Sequence, residues 1–161
     1  MSEPVYLHLP VNLFEVEPEG DESDPPGYRS RGVRVGPLIG GSALGATVYD
    51  LDPGESVCPY HYEHGNEEWL IVLTGKPTLR DDENEEYELK EWDVVVFPEG
   101  PEGAHKVTNR TEEPVRIAIA STKNDPAIAI YPDSDKIGFW PPGKIFRLGD
   151  AVDYWDGETE A

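Results

Sequence analysis

Between Gly54 and Gly75 the chain reads GESVCPYHYEHGNEEWLIVLTG, which places His61, Glu63, His64, Glu67 and Glu68 within eight residues and then runs straight into the apolar segment Trp69 to Leu73. Imidazoles and carboxylates at the mouth of a buried strand cost several kcal/mol each unless something compensates them, and a bound metal ion does so with these ligand types. In an extended segment His61 and Glu63 point to one side and His64 to the other, although a bend at Gly65 can redirect it. A third histidine, His105, shares a face with Val107 and Asn109, opposite Lys106 and Thr108. Three of the four histidines in the chain therefore fall in two short segments, where divalent-metal chemistry is the reading to test.

The elements around these residues read as strands. Glu67 to Leu73 is bounded by Gly65-Asn66 and Gly75-Lys76-Pro77; it is apolar on both faces past its first pair and is expected to be buried on both sides. Val33 and Val35 alternate within Gly32 to Pro37, and Ala43 to Leu51 is a stronger strand ending at Asp52-Pro53-Gly54. Thr78 to Arg80 and Tyr87 to Leu89 form a hairpin around the solvated acidic tip DDENEE. Trp92 to Phe97, His105 to Asn109, Val115 to Ser121 and Ala127 to Tyr131 follow. Eight or nine short, evenly spaced strands indicate an all-β sandwich or barrel. Residues 1–31 are expected to form an arm, its apolar piece Tyr6 to Phe14 lying along a sheet edge and the acidic stretch after it looping irregularly. Residues 32–131 form the barrel. Residues 132–161 form a tail that packs Phe139, Trp140, Phe146, Tyr154 and Trp155 over a barrel end or onto a partner chain.

Composition limits the function. The chain's 161 residues suit one domain. Acids outnumber bases 33 to 13, a formal net charge of −20 that repels nucleic acid and anionic membrane surfaces, so neither is an expected partner. No apolar run is long enough to span a membrane, and the N-terminus lacks the features of a signal peptide, which makes the expected location cytoplasmic. The single cysteine, Cys58, excludes an internal disulfide, and no His or Asn at recognisable spacing marks it as a nucleophile.

The two polar segments resemble the two motifs of the cupin superfamily, whose members are double-stranded β-helix (jelly-roll) barrels that bind one metal ion inside. The first motif, G-x5-H-x-H-x3,4-E-x6-G, is matched by Glu68, six residues and Gly75, with His61 in the first histidine position and Glu63 where the second histidine is expected. The second, G-x5-P-x-G-x2-H-x3-N, is matched by Pro98, Gly100, His105 and Asn109; Trp92 replaces the opening Gly, and two extra residues separate Gly100 from His105. The resemblance implies metal ligands at His61, Glu63, Glu68 and His105, with His64 the alternative to Glu63. Tyr60 and Tyr62 flank His61 and are candidates to line the cavity mouth. Two imidazoles with two carboxylates favour Mn²⁺ or Fe²⁺, with Zn²⁺ or Ni²⁺ also accommodated.

The implied activity is that of a metal-dependent oxygenase, isomerase or lyase acting on a small organic molecule, against the alternative of a non-catalytic module that binds or senses a small ligand or metal. Fold analogy does not separate the two, because one barrel hosts many chemistries. The two-sided apolar strand and the aromatic tail together predict a homodimer.

Overall fold

The computed structural model describes residues 10–159. In chain order these form β1 (Arg31–Arg34), the single-turn α1 (Val35–Leu38), β2 (Leu44–Leu51), β3 (Tyr62–His64), β4 (Glu68–Thr74), β5 (Thr78–Arg80) and β6 (Glu86–Glu88). After these come β7 (Val94–Phe97), β8 (Lys106–Thr108), β9 (Val115–Thr122), β10 (Ala127–Tyr131), β11 (Lys136–Trp140) and β12 (Lys144–Arg147). The strands make three antiparallel sheets, ordered β1-β2-β9-β4-β7, β12-β11-β10-β3 and β6-β5-β8. Little helix and neighbours distant in sequence are the marks of an antiparallel jelly-roll barrel, as the strand pattern predicts.

Register decides which side chains meet. Across the five-stranded sheet Glu68 lies opposite Phe97 and Ser121, Leu70 opposite Val95 and Ile119, and Val72 opposite Ile117, which itself faces Tyr49. These inward rows join Leu51, Leu79, Leu89, Val107 and Val115 in the principal core. Residues between them point outward. There Val48, Leu73, Ala118 and Val35 form a second cluster roofed by Val11, Leu13 and Val16.

The described part of the N-terminal apolar piece thus packs on the outer face of the sheet, not along its edge, while Tyr6 to Leu9 lies outside the described residues. Arg116 holds it there: its guanidinium pairs with Asp50 at 2.6 and 2.8 Å and donates to the carbonyl of Phe14 at 2.9 Å. The roof is incomplete. Trp69 is 49% exposed, Val94 55% and Val96 50%, so the expectation that this strand is buried on both sides holds only at its Leu73 end.

Two further expectations need correction. The predicted strand Gly32 to Pro37 ends at Arg34 and gives way to α1, because Pro37 has no N–H to extend a ladder. The tail does not pack all five of its aromatics over a barrel end: β11 and β12 form a hairpin that extends the sheet of β3 and β10, with Phe139 edge-on to Phe146 at 6.1 Å. Tyr154 and Trp155 contact each other, but at 84% and 74% exposure they do not pack on the barrel.

Candidate metal centre

His61 and His105 are brought face to face by a two-residue bridge in which each backbone N–H donates to the carbonyl of the other, at 3.1 and 2.9 Å. Directly opposed residues in such a pair project to the same side, so one bridge aims both imidazoles into the barrel, their ring centroids 4.8 Å apart. Glu68 enters from the first inward row of β4. Its Oε2 lies 4.0 Å from Nε2 of His61 and 3.6 Å from Nε2 of His105, and the three donor atoms all sit within 4.8 Å of one another.

The donor set fits a transition-metal ion. Ligands about 2.0–2.2 Å from a common centre lie roughly 3 to 4.4 Å from one another, and the Glu68 distances to His61 and His105, 4.0 and 3.6 Å, fall in that range. The tautomers also suit it. Nδ1 of His61 donates to the Pro59 carbonyl at 3.1 Å, and Nδ1 of His105 to the Gly103 carbonyl at 2.8 Å, so each Nε2 turns a bare lone pair towards Glu68. Phe97 stacks flat on His105 at 3.6 Å and 6°, locking that ring's orientation.

Burial sets the charges. Desolvation, then the neighbouring His61, drives the His105 pKa down to about 3, and desolvation lowers His61 as well, so both imidazoles are neutral and able to ligate. Desolvation, then the Glu63 carboxylate, pushes Glu68 up to about 7. A divalent cation would reverse that strain by stabilising the carboxylate.

Glu63 stands outside the tight group of three, but it is close enough to raise Glu68, and its own carboxyl is pushed up by burial against an opposing hydrogen bond from Asn66. His64 points away: it is exposed on β3, edge-on to Tyr62 at 5.6 Å. Tyr60 is buried beneath the Arg80 guanidinium at 3.9 Å and donates to the Asp81 carbonyl. It lines a cavity of about 650 Å³ together with Cys58, but none of the three clustered residues borders that cavity, and neither does Tyr62.

The extra residues of the second motif form a 3-10 turn, Pro101–Gly103, that presents the carbonyl accepting from His105. No side chain fits at Gly103, where a Cβ would come within 1.8 Å of the Pro98 carbonyl oxygen. Asn109, the last motif residue, is fully buried and closes the following turn instead of reaching the site: it donates to the Leu51 and Glu113 carbonyls and accepts from Thr111. Trp92, at the motif's opening Gly, keeps the left-handed conformation that position requires, with φ of 71°.

Sequence reasoning misses three neighbours. Tyr131 stacks on His61 at 5.8 Å and 21°, and Phe97 on His105 as above. Cys58 Sγ lies 3.5 Å from Nδ1 of His61, so a histidine partner does exist, three residues away; burial, then Glu68 and Glu63, pushes the thiol up to about 12 and keeps it protonated. Period-two alternation marks Tyr131 as sharing a face with Ala129. That Ala129 pairs with Glu63 is a long-range fact no local pattern contains.

A model of the cupin domain family matches residues 47–121. Together with the barrel topology, this decides the assignment. The chain has the cupin barrel fold, and its residues 47–121 match the cupin domain family. Among solved structures, it resembles a protein from Acidithiobacillus ferrooxidans provisionally named a sugar phosphate isomerase, with TM-score 0.78 and 24% identity over 88% of this chain and 91% of that one. It also resembles a sugar phosphate isomerase of the cupin superfamily from Silicibacter pomeroyi, with TM-score 0.77 and 23% identity over 92% and 98% of the two chains. A third, the polyketide cyclase RemF from Streptomyces resistomycificus, aligns with TM-score 0.60 and 19% identity over 74% and 82%. No curated protein matches the sequence. Among the described residues no helix is long and apolar enough to cross a membrane.

Proposed function

We propose that this protein is a metal-dependent enzyme acting on a small organic molecule, with one divalent transition-metal ion held by His61, Glu68 and His105 and with Glu63 turning in as fourth ligand. The observation that carries this reading is the convergence of two neutral, tautomer-fixed imidazoles and one carboxylate within 4.8 Å. Two imidazoles and two carboxylates favour Mn²⁺ or Fe²⁺ over Zn²⁺ or Ni²⁺. A bound ion would polarise a carbonyl or hydroxyl of the substrate. The protein residues orient and exclude: Phe97 and Tyr131 hold the imidazole planes, and the apolar rows beneath Glu68 keep water out. The names carried by two structural neighbours make sugar isomerisation the first reaction to assay, ahead of oxygenase and lyase chemistry.

Metal analysis of protein purified without chelator or added metal tests the centre: about one ion per chain is expected in the native protein and none in His105→Ala. A chain that takes up none of Mn²⁺, Fe²⁺, Zn²⁺ or Ni²⁺ on reconstitution sinks the reading. A chain that binds metal but turns over no sugar, sugar acid or keto acid would instead be the non-catalytic binding module.

The same proposal includes a homodimer built on the outer face of the five-stranded sheet. Between Glu67 at one end and the Asp50–Arg116 pair at the other, the outward rows carry no charge, and Trp69, Val94 and Val96 on them are half exposed. A chain of net charge −20 repels its own copies except across such a face, so a second copy is the occupant it suits. Light scattering at micromolar concentration should return twice the monomer mass of 17.9 kDa; the monomer mass would count against it.

A further inference from the structure

Thirteen cationic side chains serve a chain with 33 acids, and five of them, Arg31, Lys76, Arg80, Arg110 and Arg116, are paired with carboxylates. Arg34 and Lys123 are not. Neither side chain has an ion pair or hydrogen bond among the described residues, yet both line one cavity of about 220 Å³ at the end of β1. In so acidic a protein, two uncompensated cations converging on one hollow mark a place kept for an outside anion.

The hollow is built, and register ties it to the candidate metal centre. Arg34 lies opposite Thr47 on β2, Gly45 opposite Ser121 on β9, and Ser121 opposite Glu68 on β4, so all these positions share the inward side of the sheet. Gly45 makes the opening: a Cβ there would meet Ser121 Oγ at 3.3 Å and Lys123 Cδ at 3.4 Å, filling the space between hydroxyl and cation. Arg34 and Glu68 both act on the phenol of Tyr49, so cation and candidate ligand lie within electrostatic reach of one side chain. Strands lie about 4.8 Å apart, and three strand spacings separate Glu68 on β4 from Arg34 on β1, roughly 14 Å. That is the length of a small extended metabolite. A volume of 220 Å³ is below the range of about 300–1,000 Å³ usual for whole ligands and suits one substituent.

We infer that Arg34 and Lys123, with the hydroxyls of Thr47 and Ser121, form a subsite for a compact oxyanion, phosphate or carboxylate, carried by the substrate whose other end meets His61, Glu68 and His105. The inference rests on the metal-dependent reading for its second half only; the anion site stands or falls alone. Arg34 supplies the planar fork and Lys123 the point charge of a charge-assisted clamp.

Calorimetric titration of the metal-free protein with inorganic phosphate and with acetate, against chloride at matched ionic strength, tests it. Wild type should bind phosphate, acetate or both beyond the chloride control, and the stronger of the two identifies the source. Arg34→Ala with Lys123→Ala should weaken that binding at least about tenfold. Gly45→Val, which keeps both cations and fills the hollow, should weaken it as much, while Glu68→Gln should leave it unchanged. Far-ultraviolet circular dichroism of each variant confirms folding. Binding no better than chloride, or equal in wild type and the double variant, overturns the inference. Metal content measured on the same samples reports separately on the metal reading: Arg34→Ala/Lys123→Ala should retain the ion, and His105→Ala should lose the ion while keeping the anion.

Discussion

The five-stranded sheet carries two faces built from alternate residues of the same strands, and they meet different fates. Inward, Leu70 and Val72 are fully buried and Glu68 stands at the head of their row; outward, Trp69, between Glu68 and Leu70, is half exposed. Both faces are apolar. What differs is closure: the inner face is covered by the rest of the barrel, whereas the outer face is covered only where Val11, Leu13 and Val16 reach it. The closed face is therefore where desolvation displaces the Glu68 and His105 pKa values and where ligation by neutral imidazole becomes possible. The open face offers area to a second chain.

Substituting across the two faces breaks the comparison most sharply. Leu70→Ala, which empties a fully buried inward site, should cost about 2–5 kcal/mol in urea denaturation, whereas Trp69→Ala, one residue away, should cost under half as much in the monomer and shift light scattering towards it. Equal losses would mean that the outer face is packed as tightly as the inner one.

Removing a candidate ligand comes next. His105→Ala or His61→Ala should lower affinity for Mn²⁺ at least about a hundredfold by fluorescence competition, since deleting a ligand costs more than the 10–100-fold typical of a supporting residue. If metal affinity survives both changes, the three-residue group is a structural cluster only.

Acid titration probes the inner face without metal. Burial pushes Glu68 up to about 7 in the folded chain from its ordinary 4.5, so the unfolded chain holds fewer protons across that window and folding stability falls as pH rises through it. His105, lowered from 6.5 to about 3, acts oppositely: its burial penalty falls on the charged form, so stability rises with pH from about 3 to 6.5. In chelator-treated protein, Glu68→Gln should therefore gain on wild type between pH 4.5 and 7, by up to about 3 kcal/mol, while keeping the His105-driven rise. Parallel profiles for the two proteins would show that Glu68 is solvated.

Adjacent positions on β3 give a smaller contrast. Glu63→Ala should weaken Mn²⁺ binding about tenfold, less than the loss of a preplaced imidazole because Glu63 must turn in before it ligates, and His64→Ala should leave it unaltered, because His64 faces solvent. Metal retained in Glu63→Ala and lost in His64→Ala would shift the ligand register by one residue. Smallest of all, Trp92→Gly should change stability by no more than about 1 kcal/mol: relief of a positive φ offsets the loss of a ring that is 65% exposed and tilted against Phe14 at 6.2 Å. Differential scanning calorimetry would show a larger loss if the ring is an anchor of the outer face.

Period-two alternation is local, and whatever depends on it was legible in the sequence. The spans of β9 and β10, the shared side of His61 and Glu63, the opposite side taken by His64 and the inward set of His105, Val107 and Asn109 all follow from it. Motif spacing added His61, Glu68 and His105 as one group. Pairing is not local. That His61 faces His105, that Tyr131 comes to lie on His61, that β11 and β12 extend the sheet of β3 and β10, and that Arg34 and Ser121 border one hollow all depend on strand registers between distant segments. Coverage of a face is decided there too: an outward Trp69 and an inward Leu70 are equally apolar in sequence, and only the closure of the barrel on one side determines which of them meets water.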